Sequence, residues 1–129
     1  MEASKIKKLY NFPINKLTSF KQAGVIKTLF IIENLDDLNF LSQYKNKFNI
    51  IGNGSNSLIK KSAETTLFIK MSPNLFPISL SDNFITVGAG ILVNQLLKYS
   101  QENNITGFEF MAGVPASVGG MIAMNFGCW

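Results

Sequence analysis

Two glycine-rich stretches hold the residues of this chain best suited to chemistry, and the chemistry they suit is the gripping of an anionic ligand by main-chain N–H groups. The first is Gly52-Asn53-Gly54-Ser55-Asn56-Ser57, directly behind the apolar run Phe48 to Ile51. The second runs from Gly107 to Gly127 and sets Gly113, Gly119, Gly120 and Gly127 around Pro115. Glycine serves where a chain must take positive φ or where another group must approach the main chain closely. Small residues are denser in the second stretch than a packed helix or plain strand favours, so it reads as loop. Two such segments, each attached to an apolar run, point to one extended ligand held at two places.

Other chemistries are excluded by what the chain lacks. It has no histidine, and its single cysteine is Cys128, which removes zinc sites, Cys–His nucleophiles and Ser–His–Asp triads together. No metal site and no catalytic residue is therefore assigned, and any reaction must be carried by a cofactor or by a segment outside the chain. Phe48 to Gly54 invites a dinucleotide-fold reading, because a strand ending in G-x-G can bring its backbone to a pyrophosphate. Ser57 occupies the third glycine position, however, and Leu58-Ile59-Lys60-Lys61-Ser62 lacks the long helix whose N-terminus would hold the phosphates. No Gly-Lys-Ser/Thr of a P-loop occurs either. What is left is a non-helical anion nest, its backbone donors joined by the Ser55 hydroxyl and the Asn56 amide. The plain alternative is a glycine turn between two strands.

The elements that must position these loops are legible in outline. Val25 to Glu33 is a β-branched and aromatic run, followed by Asn34 as an N-cap and by Asp36 and Asp37 in a first helical turn. Leu38, Leu41 and Tyr44 recur at helical spacing, and Phe48 to Ile51 is the next strand. This is a βαβ unit, whose parallel strands end on the side where ligands usually bind. Thr66 to Lys70 and Phe84 to Val87 are further strands. Leu92 to Gln101 has the apolar spacing of an amphipathic helix, stopped at Asn103 and Asn104. Glu109, between Phe108 and Phe110, is expected as an outward strand residue. Met111, Met121 and Met124 are expected to fill the core, and Lys70 and Lys98 to be ordinary surface lysines.

Composition fits this picture. The chain has 129 residues, 47% apolar with eleven Phe and only 16% charged, a globular composition large enough for one core. Its net charge of +4 comes from lysine alone, including Lys5, Lys7, Lys8, Lys45, Lys47, Lys60 and Lys61. A reader of nucleic acid would normally use arginine forks, so no nucleic-acid partner is expected. The lysines at the amino terminus precede no apolar h-region, and no window approaches the roughly 18 apolar residues of a membrane span. A cytoplasmic protein without a membrane partner is expected.

Gly52 to Ile59, Gly113-Val114-Pro115-Ala116-Ser117-Val118-Gly119-Gly120 and Met124-Asn125-Phe126-Gly127 closely resemble the FAD-binding motifs of the UDP-N-acetylenolpyruvoylglucosamine reductase family, bacterial peptidoglycan-precursor enzymes. Thr18-Ser19-Phe20 with Gly24 resembles the family's amino-terminal signature, and the similarity runs in register from about Asn15 to Trp129. The resemblance implies an α+β fold, the FAD-binding domain of the vanillyl-alcohol-oxidase (PCMH) type. It comprises a small parallel βαβ lobe, about residues 1–72, and an incomplete second α+β lobe, about 73–129, with the substrate-binding domain absent. By residue matching it places Gly52, Asn53, Gly54, Ser55, Asn56, Ser57 and Leu58 on the FAD pyrophosphate. Gly113, Val114, Pro115, Ser117, Val118, Gly119, Gly120 and Asn125 line the flavin and its linker.

Family members reduce the enolpyruvyl ether of UDP-N-acetylglucosamine to the lactyl ether of UDP-N-acetylmuramate, with NADPH as hydride donor through FAD. Reliance on a cofactor agrees with the absence of histidine. Asn53 stands where glycine is commonest, and Asn can reach positive φ. Ala116 replaces a usual glycine and would crowd the flavin if that position takes positive φ. Cys128 and Trp129 also depart from the family pattern. The family's serine proton donor and catalytic arginine and glutamate lie beyond the matched region, so this chain alone is expected not to turn over. Two alternatives stay open: a catalytically silent flavin-binding module that pairs with a complementing chain, and a truncated remnant with no ligand.

Overall fold

The computed structural model describes residues 6–127; Lys5, Cys128 and Trp129 lie outside them. Its frame is a four-stranded sheet built from β1 (Lys7–Pro13), β2 (Val25–Ile32), β3 (Phe48–Ile50) and β4 (Leu67–Met71). The order is β1-β2-β4-β3. β4 runs parallel to both neighbours, with Thr28 opposite Leu67 and Ile50 opposite Ile69, while β1 closes the edge antiparallel to β2. The expected βαβ unit is thus present with a later strand inserted between its two. The parallel strands deliver their carboxyl ends to one rim, and β3 runs from there into the Gly52 loop.

Period-two alternation decides which side chain meets which core. Leu67 and Ile69 join Phe30, Ile32 and Leu41 on one face, whereas Phe68 faces Ile14, Leu17, Leu29, Ile51 and Ile59 on the other. Ile26, Ile32 and Ile69 are fully buried, each contributing roughly 1.5–3 kcal/mol of transfer free energy. The alternation breaks once. Leu9 and Phe12, like Ile26 and Leu29, lie three apart yet serve the same core. Between them Asn11 takes φ +51, no Asn11–Lys27 rung forms, and the Lys27 N–H donates instead to the Glu64 carbonyl at 2.7 Å. Both strands change face at this kink, so residues on either side of it join the core of Ile14 and Leu17.

The helix α1 (Leu35–Ser42) opens as its sequence dictates. Asn34 Oδ1 accepts from the Asp37 N–H at 2.9 Å, and Asp37 Oδ2 accepts in turn from the Glu33 N–H at 2.9 Å. The two satisfy otherwise orphaned donors reciprocally, in the manner of a capping box.

A separate core gathers Ile91, Val93, Leu96 and Met111, flanked by Ile78, Ile85, Val87 and Met121. It is covered by the hairpin β5 (Ser79–Ser81) and β6 (Phe84–Thr86), which turns at Asp82 (φ +51), and by the helix α2 (Val93–Glu102). α2 ends as expected: Asn103 Nδ2 donates to the Tyr99 carbonyl at 2.8 Å, and Asn104 takes the left-handed φ of +55. Among the described residues no helix is long and apolar enough to cross a membrane.

Three expectations are corrected here. Val118–Ala123 is a helix, α3, and not a loop; Ser117 caps it by accepting from the Gly120 N–H at 3.2 Å. Glu109 is not on a strand but opens a short 3-10 turn, Glu109–Met111, where its carboxylate accepts from the Gly107 N–H at 2.7 Å. Met111 is buried and Met121 packs against the same core, but Met124 is 59% exposed and fills no core.

Candidate functional site

At the carboxyl rim of the sheet the chain turns sharply at Gly54, whose φ is +70. A Cβ there would overlap the Leu17 carbonyl oxygen and lie 3.0 Å from the Thr18 Cα, so glycine is required twice over, by conformation and by contact. The Gly54 carbonyl accepts from the Ser19 N–H at 3.0 Å, and Thr18 is buried against Ile14. The Thr18-Ser19 stretch therefore forms the floor under the glycine turn. Asn53 does not take positive φ, contrary to what a glycine-like role there would ask. Its side-chain amide instead donates to the Pro115 carbonyl at 2.8 Å and ties the first glycine segment to the second.

The two segments touch through glycine on both sides. A Cβ on Gly52 would lie 2.6 Å from Ser117 Oγ and 3.4 Å from the Gly120 Cα. Gly119 sits as tightly against Ala89, since a Cβ added to it would lie 2.8 Å from the Ala89 Cβ. Gly119 and Gly120 thus shape the packing of α3, which is why a helix forms in spite of their poor propensity. Ala116 shows no positive φ, so its methyl is unstrained, and it packs against the second core.

The supply of main-chain donors differs between the segments. The first turn of α3 is spent internally: Val118 N–H donates to the Ile91 carbonyl at 2.8 Å, Gly119 N–H to the Ala89 carbonyl at 2.9 Å, and Gly120 N–H to Ser117 Oγ. In the first loop, by contrast, no hydrogen bond within the described residues consumes the N–H groups of Gly52, Asn53, Gly54, Ser55, Asn56, Ser57 or Leu58. Such a run of uncommitted amides in an irregular, glycine-bearing loop is the make-up of an anion nest. No long helix follows it, as the residues after Ser57 indicated; the chain makes only a short 3-10 turn at Lys61–Ala63.

A cavity of about 400 Å³ opens between the segments, within the range of ordinary ligand sites. Gly52, Asn53, Gly54, Ser55, Asn56 and Ser57 line one side; Val114, Pro115, Ser117 and Gly120 line the other. Leu58, Gly113, Val118, Gly119 and Asn125, matched to the cofactor by sequence, do not line it. Leu58 points its side chain to solvent, Gly113 borders a neighbouring hollow, and Gly119 is packed on Ala89. Sequence reasoning missed the apolar wall of Ile50, Ile51, Met121, Ala123, Met124 and Phe126. Its available signal was the apolar i, i+3 pair Met121 and Met124, hidden while that stretch was read as loop.

Among the described residues, no side chain lining this cavity is ionisable. The site can bind through amides, hydroxyls and an apolar wall, and the described residues give it no acid or base. Lys98 forms an exposed pair with Glu102 at 3.8 Å. Lys70 is not an ordinary surface lysine, since burial pushes its ammonium pKa below the usual value. Among the described residues no cluster of His, Cys, Asp or Glu could hold a metal ion.

Residues 35–129 match the FAD binding domain family. The chain belongs to that family. It is also 39% identical over 126 residues to the UDP-N-acetylenolpyruvoylglucosamine reductase of Rickettsia massiliae (strain Mtu5), covering 95% of this chain and 42% of that protein. The reductase of Rickettsia prowazekii (strain Madrid E) is 37% identical over 126 residues, with the same coverage. The crystal structure of UDP-N-acetylenolpyruvylglucosamine reductase from Thermus caldophilus shares the fold, with a TM-score of 0.73 at 24% identity, covering 96% of this chain and 43% of that one. The chain thus spans about two fifths of the length of the relatives it matches. As a member of the FAD binding domain family, it presents a site that fits the cofactor: uncommitted amides for a pyrophosphate, and an apolar wall for a ring system.

Proposed function

We propose that this chain is the FAD-binding part of an NADPH-dependent UDP-N-acetylenolpyruvoylglucosamine reductase acting in peptidoglycan precursor synthesis in the cytoplasm. The observation that carries the reading is the run of uncommitted amides from Gly52 to Leu58 beside the apolar wall of Met121, Met124 and Phe126. When bound, FAD supplies the hydride chemistry that no side chain here can perform. The chain's own task is to hold and orient. The amides of residues 52–58 and the Ser55 and Ser57 hydroxyls take the pyrophosphate oxygens. Val114, Pro115, Ser117 and Gly120 border the linker, and the methionines and Phe126 exclude water from one side of the ring. Gly119 and Val118 serve by seating α3, and Gly113 and Asn125 by turning the chain at φ +82 and +47 on either side of it. Residues 1–72 and 73–129 form the two sub-lobes in this reading.

Because no ionisable side chain among the described residues lines the cavity, this reading assigns proton delivery to the UDP-sugar, and the substrate site, to residues outside the described ones. The same observation favours a second reading, a catalytically silent flavin module that works with a complementing chain. One experiment addresses both. After incubation with FAD and desalting, the protein is expected to keep flavin absorption near one equivalent per chain; a colourless eluate contradicts the proposal. Adding the remaining portion of the Rickettsia massiliae relative in trans should then give NADPH oxidation that depends on the UDP-sugar. Bound flavin without that oxidation selects the silent module.

A further inference from the structure

The far end of the amide-bearing loop is fixed by one side chain from a distant part of the sequence. Gln22 Oε1 accepts from the Ile59 N–H at 2.8 Å, and Gln22 Nε2 donates to the Ile59 carbonyl at 3.3 Å. A carboxamide that engages both main-chain groups of one residue reproduces a rung of an antiparallel ladder without a strand. Ile59 is buried, 8% exposed, so an alternative water partner for its N–H is not at hand and the pairing matters. The segment bearing Gln22 is shaped to present it. Lys21 takes φ +49, an uncommon conformation for lysine, in a turn closed by its N–H on the Thr18 carbonyl at 3.1 Å. Residues 17–22 therefore hold the loop at its middle, through Leu17 and Ser19 on Gly54, and at its exit, through Gln22 on Ile59.

We propose that Gln22 is a positioning residue of the flavin site, holding the amides of residues 52–58 in their receiving conformation before the pyrophosphate arrives. This rests on the flavin reading above. Fixing a loop in its bound conformation reduces the ordering that binding must otherwise impose. Removing the carboxamide strands the Ile59 N–H and frees the loop's exit, so affinity falls although no contact to the ligand is lost.

The test compares the unmutated chain with Gln22→Ala and Gln22→Glu, measuring FAD affinity by flavin fluorescence and amide hydrogen exchange without FAD. Gln22→Ala is expected to weaken FAD roughly tenfold and to speed exchange of the Ile59 and Ser19 amides, which are bonded to Gln22 and to the Gly54 carbonyl, while α2 keeps its protection. Gln22→Glu keeps the acceptor for Ile59 N–H but sets an oxygen against the Ile59 carbonyl, and should fall between the two. Unchanged affinity and exchange in Gln22→Ala overturns the proposal, as does a loss of protection throughout the chain in both variants. Failure of the unmutated chain to bind FAD would overturn the flavin reading, whereas faster exchange confined to the Ile59 and Ser19 amides would still show Gln22 holding the loop.

Discussion

Gly54→Val is expected to abolish FAD binding and to lower stability by roughly 3 kcal/mol or more, combining left-handed strain with a steric overlap. The sequence alone suggests a milder result, loss of flavin binding with modest loss of fold. The structure corrects this, because the Cβ would meet the main chain of Leu17 and Thr18, which cannot swing aside as a flexible side chain could. A β-branched residue at φ +70 adds its own penalty. The floor beneath the turn carries buried Leu17 and Thr18, so the disturbance enters the core around Ile14 and Phe68. Thermal unfolding and flavin fluorescence measure the two effects. A variant with the unmutated chain's melting temperature and affinity would show that Gly54 is an ordinary turn residue.

Gly52→Val separates binding from folding more cleanly. Gly52 is not in a left-handed conformation, and the nearest atom to an added Cβ is the Ser117 hydroxyl, the movable end of a side chain. Displacing that hydroxyl removes the cap on Gly120 N–H, at a cost of about 1 kcal/mol. The valine methyls must then push Gly120 away or project into the cavity that both residues line. FAD affinity should fall at least tenfold, about 1.4 kcal/mol, while circular dichroism stays native. Affinity equal to that of the unmutated chain would mean the ligand does not pass between Gly52 and Gly120.

The contrast between these glycines shows what a single sequence reveals. That glycine was required around residues 52–54 was legible, as were β2, the Asn34 cap, α1 and the Asn104 stop, because each is written in residues close to one another. The assignment of positive φ to Gly54 and not Asn53 was not legible, since it depends on the Leu17 carbonyl far away in sequence. β1 escaped notice because Lys7, Lys8 and Pro13 dilute its pattern, and only pairing with β2 makes it a strand. α3 was obscured by two glycines that weaken a helix locally and are kept for close approach to Ala89 and Gly52. The two glycine segments were expected to share a ligand, and the structure brings them to one cavity. Which residues face it, and which only support it, follows from α3 being a helix: Gly120 faces Gly52, while Gly119 turns to Ala89. The Gln22 clamp had no local signature at all, as its partner is Ile59.

The most direct test of the account is a titration of isotope-labelled protein with FAD, followed by amide chemical shifts. The uncommitted N–H groups of Gly52 to Leu58 should move together and saturate near one equivalent, with the amides of Val118 and Gly119, already engaged by Ile91 and Ala89, moving less. Saturable shifts centred elsewhere, with residues 52–58 unmoved, would contradict the claim that this loop receives the cofactor's pyrophosphate.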